Sequence, residues 1–224
     1  MSKQIILATI ALAIVFASHA QQYGTLKDSR DGRVYKTVKI GAQEWMAENL
    51  NAERFRNGDI IPEAKTKEEW EKAGKNKQPV WCYYDNDKVN GEKYGKLYNW
   101  YAITDKRQLA PAGMRIASSE DWDSVINQLG GLTKAGSNLK NITGWSDKDG
   151  VNGTNASGFC AMPGGEREHD GEFNFLGSWG VWWTSTRDAN RSNWFLIISS
   201  SYYDIFWKSS DFLNDGYSVR CIKN

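Results

Sequence analysis

The residues that could carry acid–base or nucleophilic chemistry are few in this 224-residue sequence. It contains two histidines, and His19 lies in an apolar N-terminal segment, which leaves His169 for any Ser-His or Cys-His pair. His169 stands in the charged run 166–170, a pattern typical of an exposed turn without an orienting partner. The GxSxG, HExxH and GxxxxGK(S/T) motifs are absent. No catalytic residue is therefore assigned, although the 27 acidic residues leave a glycosidase-type carboxylate pair open.

Two segments rich in Asp and Asn have the oxygen ligands that calcium prefers. One contains Asp85 and Asp87, the other Asp147 and Asp149, and neither has the distal Glu of an EF-hand. Such runs also form turns by hydrogen-bonding to their own backbone. Calcium and a simple turn both fit these segments, and no other cofactor is indicated.

The first 20 residues have the layout of a secretory signal. Lys3 precedes an apolar run over residues 5–17, and small residues end the segment at Ala20. A retained N-terminal anchor is the alternative. We expect residues 21–224 to form a single domain without a membrane span, secreted or associated with the cell surface. Loss of Lys3 would lower the formal net charge from +1 to 0, so nucleic acid is not an expected partner.

Three cysteines follow this segment: Cys82, Cys160 and Cys221. An odd number in an exported chain allows at most one internal disulfide, and three pairings are possible. Three buried, reduced thiols are the other possibility. The cysteines lack CxxC spacing and have one histidine to join them, so a zinc site is not expected.

Tryptophan is unusually abundant, with 11 residues beside 10 Tyr and 8 Phe. Indoles either build a core or stack on the apolar face of a sugar ring or on a cation. Trp182 and Trp183 are adjacent in a strand-like run, so we expect one to face inward and the other outward. We also expect an exposed Trp within residues 131–180, where Gly, Asn and Ser dominate and no regular element is evident.

Local patterns predict three helices and several strands. Thr66 and Glu69 have capping-box spacing and open a helix through about Lys72. A second helix is predicted over 94–103 and a third over 118–129, capped by Ser118 with Asp121. Strands are predicted over 34–40, where Val38 and Ile40 share the buried face, and over four late runs that form an antiparallel meander: 181–186, 194–198, 202–207 and 217–222.

The chain also resembles the Fibrobacter succinogenes major paralogous domain. The resemblance lies in motifs spread through nearly all of residues 38–221, which include Gln43-Glu-Trp-Met-Ala-Glu-Asn-Leu50, Tyr94-Gly-Lys-Leu-Tyr-Asn-Trp-Tyr-Ala102, Pro163-Gly-Gly165 and Ser218-Val-Arg-Cys221. The sequence departs from the usual pattern of that family at Met114, Cys160 and Glu166. The family is similar in pattern to C-type-lectin-like and formylglycine-generating domains.

The resemblance implies an α+β, C-type-lectin-like fold, in which two main helices flank an irregular antiparallel sheet with a long loop region. Cys82 and Cys221 lie in matching motifs, which implies a disulfide between them and leaves Cys160 unpaired. The Glu-Pro-Asn and Gln-Pro-Asp sugar motifs of calcium-dependent lectins are absent, and a fold alone does not establish sugar binding.

We therefore expect an exported, non-catalytic binding or adhesion module that recognises a glycan or a protein surface through loop aromatics and polar groups. A carboxylate-dependent hydrolase or modifying enzyme and a structural cell-surface subunit are the alternatives. The candidate contacts are Trp145, Arg167, Trp179, Asp188, Asn190 and Asn193.

Overall fold

A computed structural model of the chain describes residues 21–145, 152–187, 193–201 and 205–224. Its strands are β1 (Gln22–Lys27), β2 (Val34–Ile40), β3 (Gln43–Met46), β4 (Trp81–Cys82), β5 (Leu97–Tyr98), β6 (Met114–Ile116), β7 (Gly164–Arg167), β8 (Phe173–Leu176), β9 (Trp179–Arg187), β10 (Asn193–Ser199), β11 (Ile205–Ser210) and β12 (Cys221–Lys223). Its α-helices are α1 (Lys67–Lys75), α2 (Lys88–Tyr94), α3 (Trp100–Ile103), α4 (Ser119–Gln128) and α5 (Leu132–Leu139). This mixture of helices and sheets confirms the α+β class.

Two five-stranded sheets organise the fold. The first has the order β1-β2-β3-β12-β6 and is antiparallel throughout. The second has the order β11-β10-β9-β7-β8, in which only the β7–β9 pair is parallel. Strands β9, β10 and β11 form the expected antiparallel meander, but the last strand, β12, joins the first sheet. Residues 202–204, which fall in one predicted strand, lie outside the described residues.

The second sheet is covered on both faces. Trp183 lies in a cluster with Trp100 and Tyr217, whereas Trp182 lies in a second cluster with Trp122 of α4. The prediction that one of the two adjacent indoles faces outward is wrong, because both are fully buried. Strand β2 is also buried on both faces. Tyr35 and Thr37, on the face predicted to be exposed, are buried along with Val38 and Ile40.

The two capped helices form as predicted. Thr66 and Glu69 make a capping box at the start of α1, and Ser118 and Asp121 make one at the start of α4. Helix α1 extends to Lys75, a few residues past the predicted end.

The predicted helix over 94–103 is wrong. Helix α2 ends at Tyr94 because Gly95 takes a left-handed φ of 80°. The next residues form β5, which pairs with β4, and Asn99 then caps the short helix α3 through its side chain.

Residues 131–180 are less of a loop than the sequence indicates. They contain α5, β7 and β8, and they contribute Leu139, Trp145 and Phe159 to the core cluster around Trp122. Among the helices that the structure describes, none is long and apolar enough to cross a membrane.

Candidate functional site

Trp145 was predicted to be a ligand contact, but the structure buries it. Its side chain is 3% exposed, and the indole Nε1 donates to the carbonyl oxygen of Ala161 at 3.2 Å. The ammonium of Lys140 lies 5.0 Å from the centroid of the indole. Trp145 is therefore a core residue, and the expectation of an exposed indole at this position is wrong.

Arg167 is also buried, at 1% exposure. Its guanidinium lies between the rings of Trp70 and Phe173, 4.7 and 4.6 Å from their centroids. It donates to the carbonyl oxygens of Ala64 and Thr66 at 2.7 and 3.0 Å, and so ties β7 to the start of α1. These bonds occupy the guanidinium, so Arg167 supports the fold and is not a surface contact.

Asn193 is fully buried between β10 and β11, where its Nδ2 donates to the carbonyl oxygen of Ser210 at 3.2 Å. It is not a surface contact either. The candidates Asp188 and Asn190 lie outside the described residues. Trp179 is thus the one predicted contact that the described part of the chain leaves partly exposed.

Trp179 belongs to an aromatic pair at the turn between β8 and β9. Its ring stacks on Phe175 with a centroid distance of 3.8 Å and an interplanar angle of 14°. The turn is closed by the Ser178 amide, which donates to the Phe175 carbonyl oxygen at 3.0 Å. Phe175 has a left-handed φ of 65°, which is a genuine outlier for a bulky residue. This backbone conformation holds the Phe175 ring in place while 40% of the side chain stays exposed.

Lys208 completes this group from β11, the edge strand at the opposite end of the sheet from β8. It lies on β11 opposite Phe195, and its Nζ lies 5.4 Å from the centroid of the Trp179 ring. We call Phe175, Trp179 and Lys208 the aromatic stack. Its outer layer is the exposed Phe175 ring.

An acidic centre adjoins the aromatic stack. Glu166 on β7 is 8% exposed, and no donor among the described residues hydrogen-bonds to its carboxyl. Burial, together with the charges of Asp215 and Glu168, raises the pKa of Glu166 to about 7, while Lys208 acts against the shift. Glu166 pairs across the sheet with Asn174, which precedes Phe175 on β8.

Asp215 is the second buried carboxyl of this centre, at 6% exposure. Its Oδ2 accepts hydrogen bonds from Ser210 Oγ at 2.9 Å and Tyr217 OH at 3.0 Å, and its Oδ1 accepts from the His169 amide at 3.0 Å. Burial raises its pKa, although these hydrogen bonds and His169 act against the shift. We call Glu166 and Asp215 the acidic pair.

His169 lies at the outer side of the acidic pair. Its ring stacks on Phe212 at 3.8 Å, and its Nδ1 lies 3.5 Å from Asp215 Oδ1. An open groove of about 490 Å³ runs past both rings. In the described residues no Ser or Thr hydroxyl and no Cys thiol hydrogen-bonds to the imidazole, so the geometry does not assemble a Ser-His or Cys-His pair.

The calcium candidates do not form a coordination site in the described ranges. Asp87 caps α2, since its side chain accepts from the Val89 amide at 2.9 Å, and Asp85 occupies a left-handed turn. Asp147 and Asp149 lie outside the described residues. Across residues 21–145, 152–187, 193–201 and 205–224, no group of three or more His, Cys, Asp or Glu side chains is arranged to hold a metal ion.

The structure contains three free cysteines, so the Cys82–Cys221 disulfide that the resemblance implied is not present. Cys82 belongs to the buried cluster that contains Trp70, and Cys221 belongs to the one that contains Tyr35. The two thiols are buried in different parts of the core. Burial raises the pKa of each to about 12.

Most residues of this site have no signature in the sequence. Phe175, Lys208 and Asp215 have no spacing that would join them, because they come from three separate segments. One signal in the sequence could have pointed to the site. Glu166 is a position at which the chain departs from the pattern of the family that it resembles.

The comparisons with known proteins identify one family. The family model described as the Fibrobacter succinogenes major domain matches residues 38–223, which is most of the chain. Neither the comparison with curated proteins nor that with solved structures gave a match.

Proposed function

This chain belongs to the Fibrobacter succinogenes major domain family, and we propose that it acts as an exported, non-catalytic binding module that recognises a glycan. The observation that carries the proposal is the aromatic stack. The outer Phe175 ring is 40% exposed and is held by Trp179 behind it, so a flat apolar surface is presented without side-chain motion. Such a surface matches the apolar face of a sugar ring.

The polar groups around the aromatic stack supply orientation. The acidic pair offers acceptors for sugar hydroxyls, and the Lys208 ammonium offers donors. A binding site needs this combination of an apolar anchor with a few placed polar groups. The ligand is then a sugar whose one face is apolar and whose edge carries hydrogen-bond donors.

We also propose that the α+β fold is of the C-type-lectin-like class. In support, the capped helices α1 and α4 pack with antiparallel strands, and a long connection over residues 140–163 separates α5 from β7. An experimental structure that superposes on lectin-like domains over both helices and the second sheet would support this assignment. A different strand order would contradict it.

A glycan array with purified residues 21–224 tests the function. We expect selective retention of a subset of glycans, and Phe175→Ala to weaken that binding about tenfold, as truncation of a central aromatic contact costs roughly 1–2 kcal/mol. Tyr23→Ala is the matched control, because Tyr23 is 56% exposed but lies on β1 in the other sheet. Circular dichroism should show that both variants stay folded.

Two results would reject the glycan proposal. One is the absence of any retained glycan at high protein concentration. The other is equal binding by wild type and Phe175→Ala. Capture of a surface protein in place of a glycan would favour the protein-surface form of the same module, and self-assembly in sizing experiments without any ligand would favour a structural subunit.

One observation favours a second candidate, a carboxylate-dependent hydrolase. Glu166 has a pKa of about 7 beside a second buried carboxyl, and a general acid works best when its pKa is near the operating pH. Turnover of a polysaccharide panel that Glu166→Gln abolishes would establish this candidate. Unchanged polysaccharides with retained binding would exclude it and leave the binding module.

Export is part of the proposal and has its own test. If residues 1–20 act as a signal, the mature chain recovered outside the cytoplasm begins at Gln21. N-terminal sequencing of that material would show Gln21 first. Recovery of an intact chain that still begins at Met1 would argue for a retained anchor.

A further inference from the structure

We propose that Lys96 and Asn51 become joined by an amide bond, which forms when the lysine amine attacks the side-chain amide of the asparagine and ammonia leaves. The inference concerns a covalent cross-link inside the folded chain and does not depend on the glycan-binding function. It is carried by three groups that the fold brings together from two separate segments: the Lys96 amine, the Asn51 amide and the Glu53 carboxylate.

The nucleophile lies against the group that it would attack. Lys96 Nζ donates to Asn51 Oδ1 at 2.5 Å and to the Asn51 backbone carbonyl oxygen at 3.3 Å. Asn51 Nδ2 donates to the Gly91 carbonyl oxygen at 2.9 Å, so the side-chain amide is held with its oxygen toward the amine. Because Oδ1 is bonded to Cγ, the amine lies beside the reacting carbon. Two groups held in this way react without a bimolecular encounter.

The surroundings of Lys96 exclude water from the reacting groups. Lys96 is 1% exposed and Asn51 is 6% exposed. The lysine Nζ lies 4.3 and 4.6 Å from the ring centroids of Trp81 and Tyr83, and it also donates to the Tyr83 hydroxyl at 3.1 Å. A lysine desolvated among aromatic rings is one of the nucleophiles that proteins use.

The charge state of Lys96 also suits a nucleophile, since the neutral amine is the reactive form. Burial lowers the pKa of Lys96 to about 8, and Arg33 lowers it as well, while Glu53 and Glu63 act against the shift. These three charged groups and the Tyr83 hydroxyl are the ionisable groups that face the amine. A larger share of Lys96 is therefore neutral near pH 8 than of an exposed lysine.

Glu53 is placed to move the protons of the reaction, because its Oε1 lies 3.4 Å from Lys96 Nζ. In the first step the neutral amine forms a bond from Nζ to Asn51 Cγ and passes a proton to the Glu53 carboxylate. In the second step the carboxyl returns this proton to Nδ2, the Cγ–Nδ2 bond breaks, and ammonia leaves. An amine and a primary amide thus give a secondary amide and ammonia, and no other reagent is consumed.

A small cavity gives the ammonia a way out. Asn51 and Gly91, which accepts from Asn51 Nδ2, both line a cavity of about 150 Å³. This volume exceeds what a molecule of the size of water needs. The leaving group is therefore next to open space, whereas the amine is enclosed by rings.

The cross-link would stabilise a chain that has no disulfide. Cys82, Cys160 and Cys221 are all free. An amide bond between residues 51 and 96 closes a long loop and restricts the unfolded chain, as a disulfide across the same distance does. Unlike a disulfide, it is not broken by thiols.

The bond should form slowly after folding, because most of the amine is protonated below its pKa of about 8. Newly folded protein therefore still carries the titrating amine. The initial rate of cross-linking should rise with the neutral fraction of Lys96, by about 50-fold between about pH 6 and about pH 8, and level off above.

Mass spectrometry of a tryptic digest tests the inference on residues 21–224 kept folded at about pH 8. We expect residues 40–54 joined to residues 94–106, about 17 Da lighter than the two peptides together, with no cleavage after the modified Lys96. The joined peptide is the deciding measurement. Intact mass is insufficient, because an N-terminal Gln21 also cyclises with loss of ammonia.

Glu53→Gln separates proton transfer from a charge effect. Loss of this charge leaves more of the Lys96 amine neutral and by itself would speed the reaction. Loss of the proton acceptor should instead slow cross-linking at least about 100-fold. Glu53 is 61% exposed, so the variant should stay folded by circular dichroism. Glu71→Gln is the matched control, since Glu71 faces Lys75 at 3.5 Å on α1, and it should cross-link as wild type does.

Three results would overturn the cross-link. The first is a wild-type digest that still lacks the joined peptide after prolonged incubation at about pH 8. The second is fragmentation that places the attachment of Lys96 at a residue other than Asn51. The third is cross-linking by Glu53→Gln at the wild-type rate or faster.

Discussion

Arg220 donates its Nε to Asn49 Oδ1 at 2.7 Å, and this buried pair joins the segments that flank β12 and β3 of the first sheet. The same Asn49 oxygen accepts from Trp182 Nε1 at 2.8 Å, and the Asn49 amide donates to the Tyr94 carbonyl oxygen at 2.8 Å. Asn49 therefore satisfies two buried donors from elements that are far apart in the chain.

Replacement of Asn49 by Ala should be strongly destabilising. The buried Arg220 and Trp182 side chains would lose their acceptor, which we expect to lower the unfolding free energy by about 3 kcal/mol. Urea denaturation measures this change. Asn76→Ala serves as the control, because Asn76 is exposed at the end of α1, and should shift the free energy by less than about 0.5 kcal/mol.

Glu166 should make stability depend on pH. Its pKa is about 7 in the folded state and 4.5 ordinarily, so the folded state binds more protons between these values. The unfolding free energy should therefore fall as pH rises from about 4.5 to about 7, by up to about 3 kcal/mol, and level off above. Denaturation of wild type and Glu166→Gln across this range should show a smaller fall in the variant, which keeps the contribution of Asp215. Parallel curves would contradict the assignment.

Lys96 should titrate far below an ordinary lysine. Its side chain is buried, with Nζ 4.3 and 4.6 Å from the ring centroids of Trp81 and Tyr83, and burial lowers its pKa to about 8. Glu53, 3.4 Å away, partly offsets the shift. An NMR titration of the Lys96 side chain should give a value near 8 and a lower one in Glu53→Gln. Glu71→Gln, on α1, should leave it unchanged.

The thiols should differ in reactivity. Cys160 is partly exposed, whereas Cys82 and Cys221 are buried and their pKa values are raised to about 12. Because the thiolate is the reactive form, iodoacetamide should label Cys160 in the native protein and the other two only after unfolding. Peptide mass spectrometry identifies which cysteines are alkylated before and after unfolding. A Cys82–Cys221 disulfide peptide from the exported protein would contradict the free thiols.

The local sequence determined the starts of α1 and α4. A capping box joins residues three positions apart, so Thr66 with Glu69 and Ser118 with Asp121 act in the same way wherever the helix packs. The family was also evident from the sequence, since its motifs follow one another in order along the chain. The α+β class followed from that resemblance, and the order of the helical and strand-like patterns agreed with it.

Tertiary structure decided which side chains reach the surface. Trp145 and Trp179 both lie between glycines and polar residues, yet Trp145 enters the core and Trp179 stacks on Phe175. Their burial depends on contacts with distant segments, which no local pattern encodes. The same holds for Glu166, because its high pKa comes from burial and from Asp215, nearly 50 positions away in the chain. The sequence thus determined where the capped helices begin, and only the packing of the elements decided which side chains are available to bind a ligand.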